Sequence, residues 1–176
     1  AATTRALDAH RPEHVVVVGI AGGIGPTPVG AVVCPEIVIH GESGVRYSAH
    51  ALDGADGVIS SSDDFVVDAV AIDRLTAAGV RAVDMETAAV AAVCVQRGVP
   101  WSAVRVISDR AADHPDAAVL GLANPDGSPN PRAALAFMVR NPRRVPQLVR
   151  LGRDAQRAAR VAAAELRRQL EAVAAG

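Results

Sequence analysis

The chain has 176 residues, enough for one domain with a substantial hydrophobic core. It contains 18 Arg and no Lys against 19 acidic residues, so its net charge is −1, and the missing Lys excludes Schiff-base chemistry and a Walker-type phosphate loop. Half of the residues are hydrophobic, but no apolar run approaches the ~18 residues of a membrane span, and no secretory signal is visible.

Short apolar runs alternate with segments of helical spacing along the chain. The predicted strands are 15–18, 30–40, 58–60, 80–84 and 101–107. The predicted helices are 1–9, 66–78, 85–97, 133–140 and 146–174. Alternation of this kind indicates a largely parallel sheet covered by helices. We therefore expect a single α/β domain over residues 1–176, a three-layer α/β/α sandwich around a mixed, twisted central sheet.

The connections are predicted from turn-forming residues. Residues 19–25 are rich in glycine and predict a turn, and Pro35 marks a bulge or an edge within the second strand. Residues 41–57 and 124–132 are rich in Gly, Ser, Asp, Asn or Pro, which is typical of loops.

The carboxy-terminal part is strongly basic. From Arg132 onwards there are 10 Arg against Asp154, Glu165 and Glu171, a local charge of +7. A basic tail can bind nucleic acid, but Phe137 is the single aromatic residue there that could stack on a base. A solvated helix face, or a face that pairs with the acidic body of the protein, is the favoured interpretation.

Three predicted strands end in residues suited to a ligand site, because ligands of open α/β sheets bind outside the carboxyl ends of strands. Glu86 follows one strand; it is either an ordinary acid at a helix start or a carboxylate that accepts hydrogen bonds from a vicinal diol such as ribose. Asp109 ends another; it is either a helix N-cap or a carboxylic acid that donates a proton to a leaving group. The glycine segment allows backbone to approach a ligand, but its spacing is not that of a dinucleotide site.

Metal and nucleophile motifs are missing from the sequence. None of the five His has the spacing of a metal site with another His or with Cys, and there is no G-x-S-x-G elbow. Cys34 and Cys94 form no CxxC pair, which favours reduced, buried thiols in a cytoplasmic protein. We expect neither a metal nor a cofactor.

Three motifs in this order resemble the purine nucleoside/uridine phosphorylase family, especially its methylthioadenosine/S-adenosylhomocysteine nucleosidase branch. They are Val-Val-Gly-Ile-Ala-Gly-Gly-Ile at 17–24, Asp-Met-Glu-Thr-Ala-Ala at 84–89 and Val-Arg-Val-Ile-Ser-Asp at 104–109. The similarity extends from residue 1 to about residue 112. The sequence at 141–146 resembles adenosylhopane nucleosidase-like proteins, so the 5′ substituent of the substrate stays open.

The resemblance implies roles for the matching residues. Met85 and Glu86 would hold the ribose, and Asp109, oriented by Ser108, would share a proton with purine N7 as the glycosidic bond breaks. The remaining substrate-binding positions it implies are Phe65, which would stack on the base, Val66, Ala21 and Gly22.

The resemblance also bears on the nucleophile. Phosphorylases of the family carry an Arg and a Ser that grip phosphate where this chain has Val17 and Ile20, which favours water and thus hydrolysis of a purine nucleoside or a 5′-substituted adenosine. The family's first strand, with the Glu that positions water, has no counterpart here, and we expect the amino-terminal strands to be missing from this sequence. A phosphorylase and a non-catalytic nucleoside-binding protein are the alternatives. Homodimers are usual in the family, so a homodimer is expected.

Overall fold

The computed structural model describes residues 2–63, 68–110, 136–137 and 139–175. The strands are β1 (Val15–Gly23), β2 (Val32–Val33), β3 (Ile37–His40), β4 (Arg46–Ser48), β5 (Val58–Ser61), β6 (Val80–Asp84) and β7 (Trp101–Arg110). The helices are α1 (Ala2–His10), α2 (Ala69–Ala77), α3 (Thr87–Arg97) and α4 (Val145–Ala175), the last preceded by a 3-10 turn at Pro142–Arg144.

The strands form one mixed sheet in the order β2-β7-β1-β6-β5-β3-β4. The pairs β1–β7, β3–β5 and β5–β6 are parallel, whereas β2–β7, β3–β4 and β1–β6 are antiparallel. The expected mixed α/β sheet is confirmed.

Helices cover both faces of the sheet. Val17 and Ile107 belong to a core cluster that includes Ala88 and Ala91 of α3, together with Leu7 of α1. The adjacent strand residues Val18 and Val106 instead pack with Ala158 and Ala162 of α4. Because successive strand residues point to opposite faces, α3 and α4 lie on opposite sides of the sheet, as a three-layer sandwich requires.

The helices next to the sheet have clear sequence signals at their ends. Asp68 is the N-cap of α2, and its carboxylate accepts hydrogen bonds from the amides of Val70 and Ala71. Gly98 ends α3 in the left-handed conformation at φ 65°, which glycine adopts without steric cost. The helix predicted over 66–78 therefore begins at Ala69 in the described residues, and that predicted over 85–97 begins at Thr87.

The predicted glycine turn at 19–25 is wrong over most of its length. β1 continues through Gly23, pairing with β7 up to Gly23↔Arg110 and with β6 at Gly22 and Gly23. Glycine favours turns in an isolated sequence, but here it lets neighbouring side chains and backbone crowd against β1. A Cβ on Gly23 would lie 2.9 Å from both the Ile107 side chain and the Thr27 carbonyl oxygen.

The single strand predicted over 30–40 is also wrong. The segment divides at Pro35 into β2, which pairs with β7, and β3, which pairs with β5 further along the sheet. Proline lacks an amide hydrogen and cannot continue a ladder, so the chain leaves one part of the sheet and joins another. The loop predicted over 41–57 contains β4, which closes a hairpin with β3.

The basic helix α4 has arginines that pair with acidic residues and arginines that face solvent, the two arrangements that its charge pattern predicted. Arg168 binds the carboxylate of Asp53 at 2.6 Å and that of Glu165 at 2.7 Å. These hydrogen bonds lower the pKa of Glu165 and raise that of Arg168. The buried Gln169 amide also donates to the Asp53 carbonyl and accepts from its amide, at 2.9 and 3.2 Å. Other arginines along α4 are exposed, as on a solvated face.

No described helix is long and apolar enough to cross a membrane.

The first half of β1 has an open edge. β6 pairs with β1 only at Gly22 and Gly23, so no strand in the described part of the chain pairs with Val15–Ile20 on the side away from β7. These residues are half-buried or exposed, although β1 lies between two other strands in the sheet order.

Two histidines meet at the opposite end of the sheet from the carboxylates. His14 Nε2 lies 2.8 Å from Ser102 Oγ, whose hydroxyl donates to the His50 carbonyl at 2.9 Å. The Ser102 hydroxyl has one hydrogen, which it donates to that carbonyl. It therefore accepts a hydrogen bond from His14 in the tautomer that carries its hydrogen on Nε2. The two imidazole rings lie 5.4 Å apart, edge to face. Burial, and then the proximity of His50, lower the pKa of His14 below its ordinary value.

The free energy of unfolding is expected to fall as the pH is lowered through about 6.5. The folded state holds the pKa of His14 below the 6.5 of the unfolded chain, so the unfolded state takes up the proton first and is favoured on acidification. Urea unfolding at several pH values measures the effect, with His14→Gln as the matched variant that keeps a donor to Ser102. An unchanged pH profile in that variant would exclude a contribution from His14.

The two cysteines are free and buried, as predicted. Burial raises the pKa of both thiols, so neither has the thiolate character of a reactive cysteine.

Candidate active site

The strand ends that carry the two predicted carboxylates converge on Gly22 of β1. Gly22 is in register with Val83 of β6 on one side and with Asp109 of β7 on the other. Two strand spacings therefore separate the end of β6 from Asp109, a distance of about 10 Å. Glycine at the centre places no side chain of its own between the two strand ends.

A buried ion-pair cluster lies behind the end of β6. Arg105 Nε lies 2.6 Å from Asp84 Oδ2, and both side chains are almost fully buried. The hydroxyl of Thr87 accepts from Arg105 Nε and Nη2 at 3.0 and 2.7 Å and donates a short hydrogen bond to Asp84. The Thr87 amide donates to the other oxygen of Asp84 at 3.2 Å. Every charged group in this cluster therefore has a partner, as a buried ion pair needs.

Glu86 stands at the mouth of this cluster. It is the N-cap residue of α3, one position before the first turn in which it was predicted, and its side chain makes no capping hydrogen bond. Its side chain is 68% exposed, and its carboxylate lies 3.7 Å from Arg105 Nη2. The carboxylate thus faces solvent with a cation behind it and has oxygen lone pairs available for a ligand. Met85 beside it is also partly exposed.

Gly19 makes room for Arg105. The two residues are register partners on β1 and β7, and a Cβ on Gly19 would overlap the Arg105 guanidinium. Asp84 and Thr87 hold the Arg105 guanidinium in place, so the guanidinium cannot move away from the added Cβ without breaking those bonds.

Gly19→Ala is therefore expected to lower the free energy of unfolding by about 1–3 kcal/mol, the usual cost of overpacking. Gly152→Ala is the control, since Gly152 lies in α4 with no atom near its missing Cβ and alanine favours helix. Chemical denaturation of both variants measures the difference. Equal stability of Gly19→Ala and the unaltered protein would contradict the proposed crowding.

Asp109 lies inside β7, one residue before its end, and the residues that follow Arg110 lie outside the described part of the chain, so the N-cap interpretation stays a prediction. The register between β1 and β7 skips Ser108, which forms a bulge between Ile107 and Asp109. The Ser108 hydroxyl lies 2.5 Å from Asp109 Oδ1 and 3.4 Å from the carbonyl oxygen of Ala21. The bulge thus brings a hydroxyl donor onto the Asp109 carboxylate, beside the backbone of Ala21 and Gly22.

The structure brings most of the predicted site residues together at the Gly22 convergence. Ala21, Gly22, Ser108 and Asp109 form one side of it, and Met85 and Glu86 follow the end of β6 on the other. Phe65 and Val66 lie outside the described residues. No group of three or more His, Cys, Asp or Glu within the described ranges is arranged to hold a metal ion.

Arg105 is the residue that the sequence reasoning did not select. The sequence does indicate a special role for Arg105. It lies between Val104 and Val106 in a strand predicted to be buried, and a buried arginine needs a buried counter-charge. Asp84, at the end of the preceding strand, is that counter-charge.

Comparison with known proteins shows a family similarity that includes several of these residues. Residues 48–127 match the family model of the phosphorylase superfamily. Over this part of its length the chain is similar to the phosphorylase superfamily. The match covers Met85, Glu86, Ser108 and Asp109, so the resemblance predicted from the motifs is confirmed.

Curated relatives are about one-third identical to the chain over the aligned residues. The 5′-methylthioadenosine/S-adenosylhomocysteine nucleosidase of Geobacillus kaustophilus is 33% identical over 144 residues, covering 63% of this chain and 61% of the relative. The nucleosidase of the same name from Marinomonas sp. is 32% identical over 140 residues, covering 61% of each. The chain thus spans about 61% of the length of these relatives.

Two solved structures have a similar fold. The Helicobacter pylori 5′-methylthioadenosine/S-adenosylhomocysteine nucleosidase, in complex with a pyrrolopyrimidine ligand, aligns with a TM-score of 0.67 at 19% identity, covering 97% of this chain and 73% of that one. The native futalosine hydrolase of the same organism gives a TM-score of 0.67 at 19% identity, covering 97% and 72%. At this identity the likeness is one of fold.

Proposed function

We propose that the chain carries the site of an enzyme that hydrolyses the N-glycosidic bond of a purine nucleoside or a 5′-substituted adenosine and releases the free base. The supporting observation is the convergence at Gly22 of Glu86, backed by Arg105, with Asp109, held by Ser108. The names of the curated relatives described above, 5′-methylthioadenosine/S-adenosylhomocysteine nucleosidases, support the same reaction.

In this proposal the two carboxylates have different tasks. Glu86 accepts hydrogen bonds from the ribose hydroxyls, and Met85 packs against the sugar. Asp109 donates a proton to N7 of the purine, so that the base leaves as a neutral molecule while positive charge develops on the sugar. Ser108 orients the Asp109 carboxylate, and Ala21 and Gly22 border the ligand. Phe65 and Val66 are proposed to contact the base, as the resemblance implies.

Water is the proposed nucleophile. Val17 packs in the hydrophobic core, and Ile20 is an exposed aliphatic residue, so neither side chain can bind phosphate. Arg105 directs its Nε and Nη2 donors to Thr87, which supports a role in fixing Glu86 rather than in gripping a free anion.

Base release from several adenosines, measured with and without phosphate, tests the proposal. The expected result is release of free purine at the same rate in both conditions. Formation of a sugar 1-phosphate that depends on phosphate would instead identify a phosphorylase. Ligand-induced stabilisation without turnover, in a protein that includes any further segments of the gene product, would establish a nucleoside-binding protein.

We also propose a cytoplasmic homodimer. The two free, buried thiols support a reducing compartment. Light scattering at micromolar concentration tests the assembly, and a monomeric mass would contradict it.

A further inference from the structure

Four arginines form one exposed side of α4, which we call the arginine face. They are Arg150, Arg153, Arg157 and Arg160. Their spacing of three, four and three residues puts them on one side of the helix over about 15 Å. All four are exposed, and none forms an ion pair in the part of the chain that the structure describes. Their charge is therefore available to a partner.

The packing of α4 turns the arginine face away from the rest of the protein. Ala158 and Ala162 are buried and pack with Val106 of β7. Further along the helix, the buried Gln169 is bonded to the backbone of Asp53. Because successive residues of a helix are rotated by about 100°, these three residues lie on the opposite side of α4 from the arginines. The arginine face is thus held outward as one straight row.

The positive charge of this row is not neutralised by its own helix. Like charges three or four residues apart repel each other, and Arg157 stands in that relation to Arg153 and to Arg160. Asp154, the acidic residue nearest to the row in sequence, is half-buried and forms no ion pair within the described residues. On a larger scale, residues 132–176 carry +7 of a net charge of −1, which leaves −8 for residues 1–131. An extended anionic partner would attract the arginine face and repel the acidic body, so it would orient the molecule.

The apolar residues beside the row favour a lipid surface over a nucleic acid. Val149 and Val161 lie on either flank of the arginine face and are 44% and 39% exposed. Exposed aliphatic side chains next to arginines suit the boundary between lipid headgroups and acyl chains. Single-stranded nucleic acids are instead bound by aromatic side chains that stack on the bases, and α4 contains no aromatic residue.

We propose that the arginine face of α4 binds the anionic headgroups of a lipid bilayer, with the helix parallel to the bilayer surface. The guanidinium groups pair with headgroup phosphates, and Val149 and Val161 reach the acyl boundary. This is peripheral binding and needs no membrane-spanning segment. It goes beyond the proposed hydrolysis and does not depend on it.

Co-sedimentation of the whole chain with lipid vesicles tests the proposal. One set of vesicles is phosphatidylcholine alone, and the other contains equal parts of phosphatidylcholine and phosphatidylglycerol. The protein is expected to bind the anionic vesicles and not the neutral ones. Binding should weaken as salt is added, because salt screens the attraction between exposed charges.

Arg157→Gln/Arg160→Gln removes two charges from the middle and end of the row. Each arginine near an anionic surface strengthens binding about 5-fold, so this variant should bind the anionic vesicles about 30-fold more weakly. Arg5→Gln/Arg97→Gln is the matched control, because it removes two exposed charges from α1 and α3, on the other side of the sheet. The control should bind like the unaltered protein. Circular dichroism and thermal unfolding establish that both variants are folded.

Three results would overturn the proposal: no binding of the unaltered protein to anionic vesicles, equal binding to neutral ones, or equal weakening in the two variants. Two further measurements identify the competing partners. Binding to RNA or duplex DNA that requires the arginine face, without vesicle binding, would assign the face to nucleic acid. Salt-sensitive self-association without lipid, lost in Arg157→Gln/Arg160→Gln, would assign it to a second copy of the chain.

Discussion

Asp109→Asn is expected to lower base release by about 10²–10⁴-fold, the usual share of general acid catalysis, while the thermal midpoint barely moves. Asparagine keeps the size of the side chain and can still bond the Ser108 hydroxyl, which lies 2.5 Å from Asp109 Oδ1. It cannot deliver a proton to the departing base. The expected loss is therefore in the chemical step, with kcat falling far more than KM rises.

Steady-state rates and thermal unfolding of Asp109→Asn decide this prediction. Ser108→Ala serves as the companion variant, because it keeps the acid and removes only the hydroxyl that orients it. We expect a smaller loss there, and near-normal turnover in Asp109→Asn would end the proposed mechanism.

Arg105→Met is expected to lower the free energy of unfolding by about 3–5 kcal/mol, the usual cost of breaking a buried ion pair. The change removes the cation from Asp84, whose side chain is only 1% exposed, and leaves a buried charge without its counter-ion. It also takes the guanidinium away from Glu86, so base release should fall together with stability.

Two comparisons separate the buried charge from general damage. In Asp84→Leu/Arg105→Met both charges are gone, and most of the lost stability should return because apolar pairs often replace buried ion pairs at little cost. Arg97→Met breaks an ion pair with Asp8 that is about half exposed, and should cost only about 0–1 kcal/mol. Urea unfolding of the variants measures the series, and equal losses for Arg105→Met and Arg97→Met would contradict the role of burial.

The sequence predicts those parts of the fold that depend on local pattern. β6 was predicted with the bounds that the structure gives it, because Val80, Ala82 and Val83 form a short apolar run that ends at Asp84. The bounds of α3 were predicted nearly as well, because Gly98 stops the helix. β1 and β2 depend on partners distant in sequence. The glycines of β1 predict a turn, and only the pairing with β7 and β6 shows that they belong to a strand. Likewise, only the pairing of β2 with β7 shows that β2 and β3 are two separate strands.

The candidate site likewise has residues that the sequence could predict and surroundings that depend on distant packing. Glu86 and Asp109 could be selected because each stands at the end of a strand that reads as buried, and the position of those strand ends on either side of Gly22 follows from the pairing of both strands with β1. The position of α4 beside β7 could not be predicted, because Ala158 and Ala162 read as ordinary residues of a helix until they pack against Val106.

The open edge of β1 has a consequence for amide hydrogen exchange. The Val15 amide donates to the Pro100 carbonyl ahead of β7, so the amides of Val17 and Gly19 also point toward β7. Those of Val16, Val18 and Ile20 point to the side where the described chain supplies no strand. Protection in β1 should alternate residue by residue, slow for amides facing β7 and fast for those facing the open edge, although the strand lies inside the sheet order.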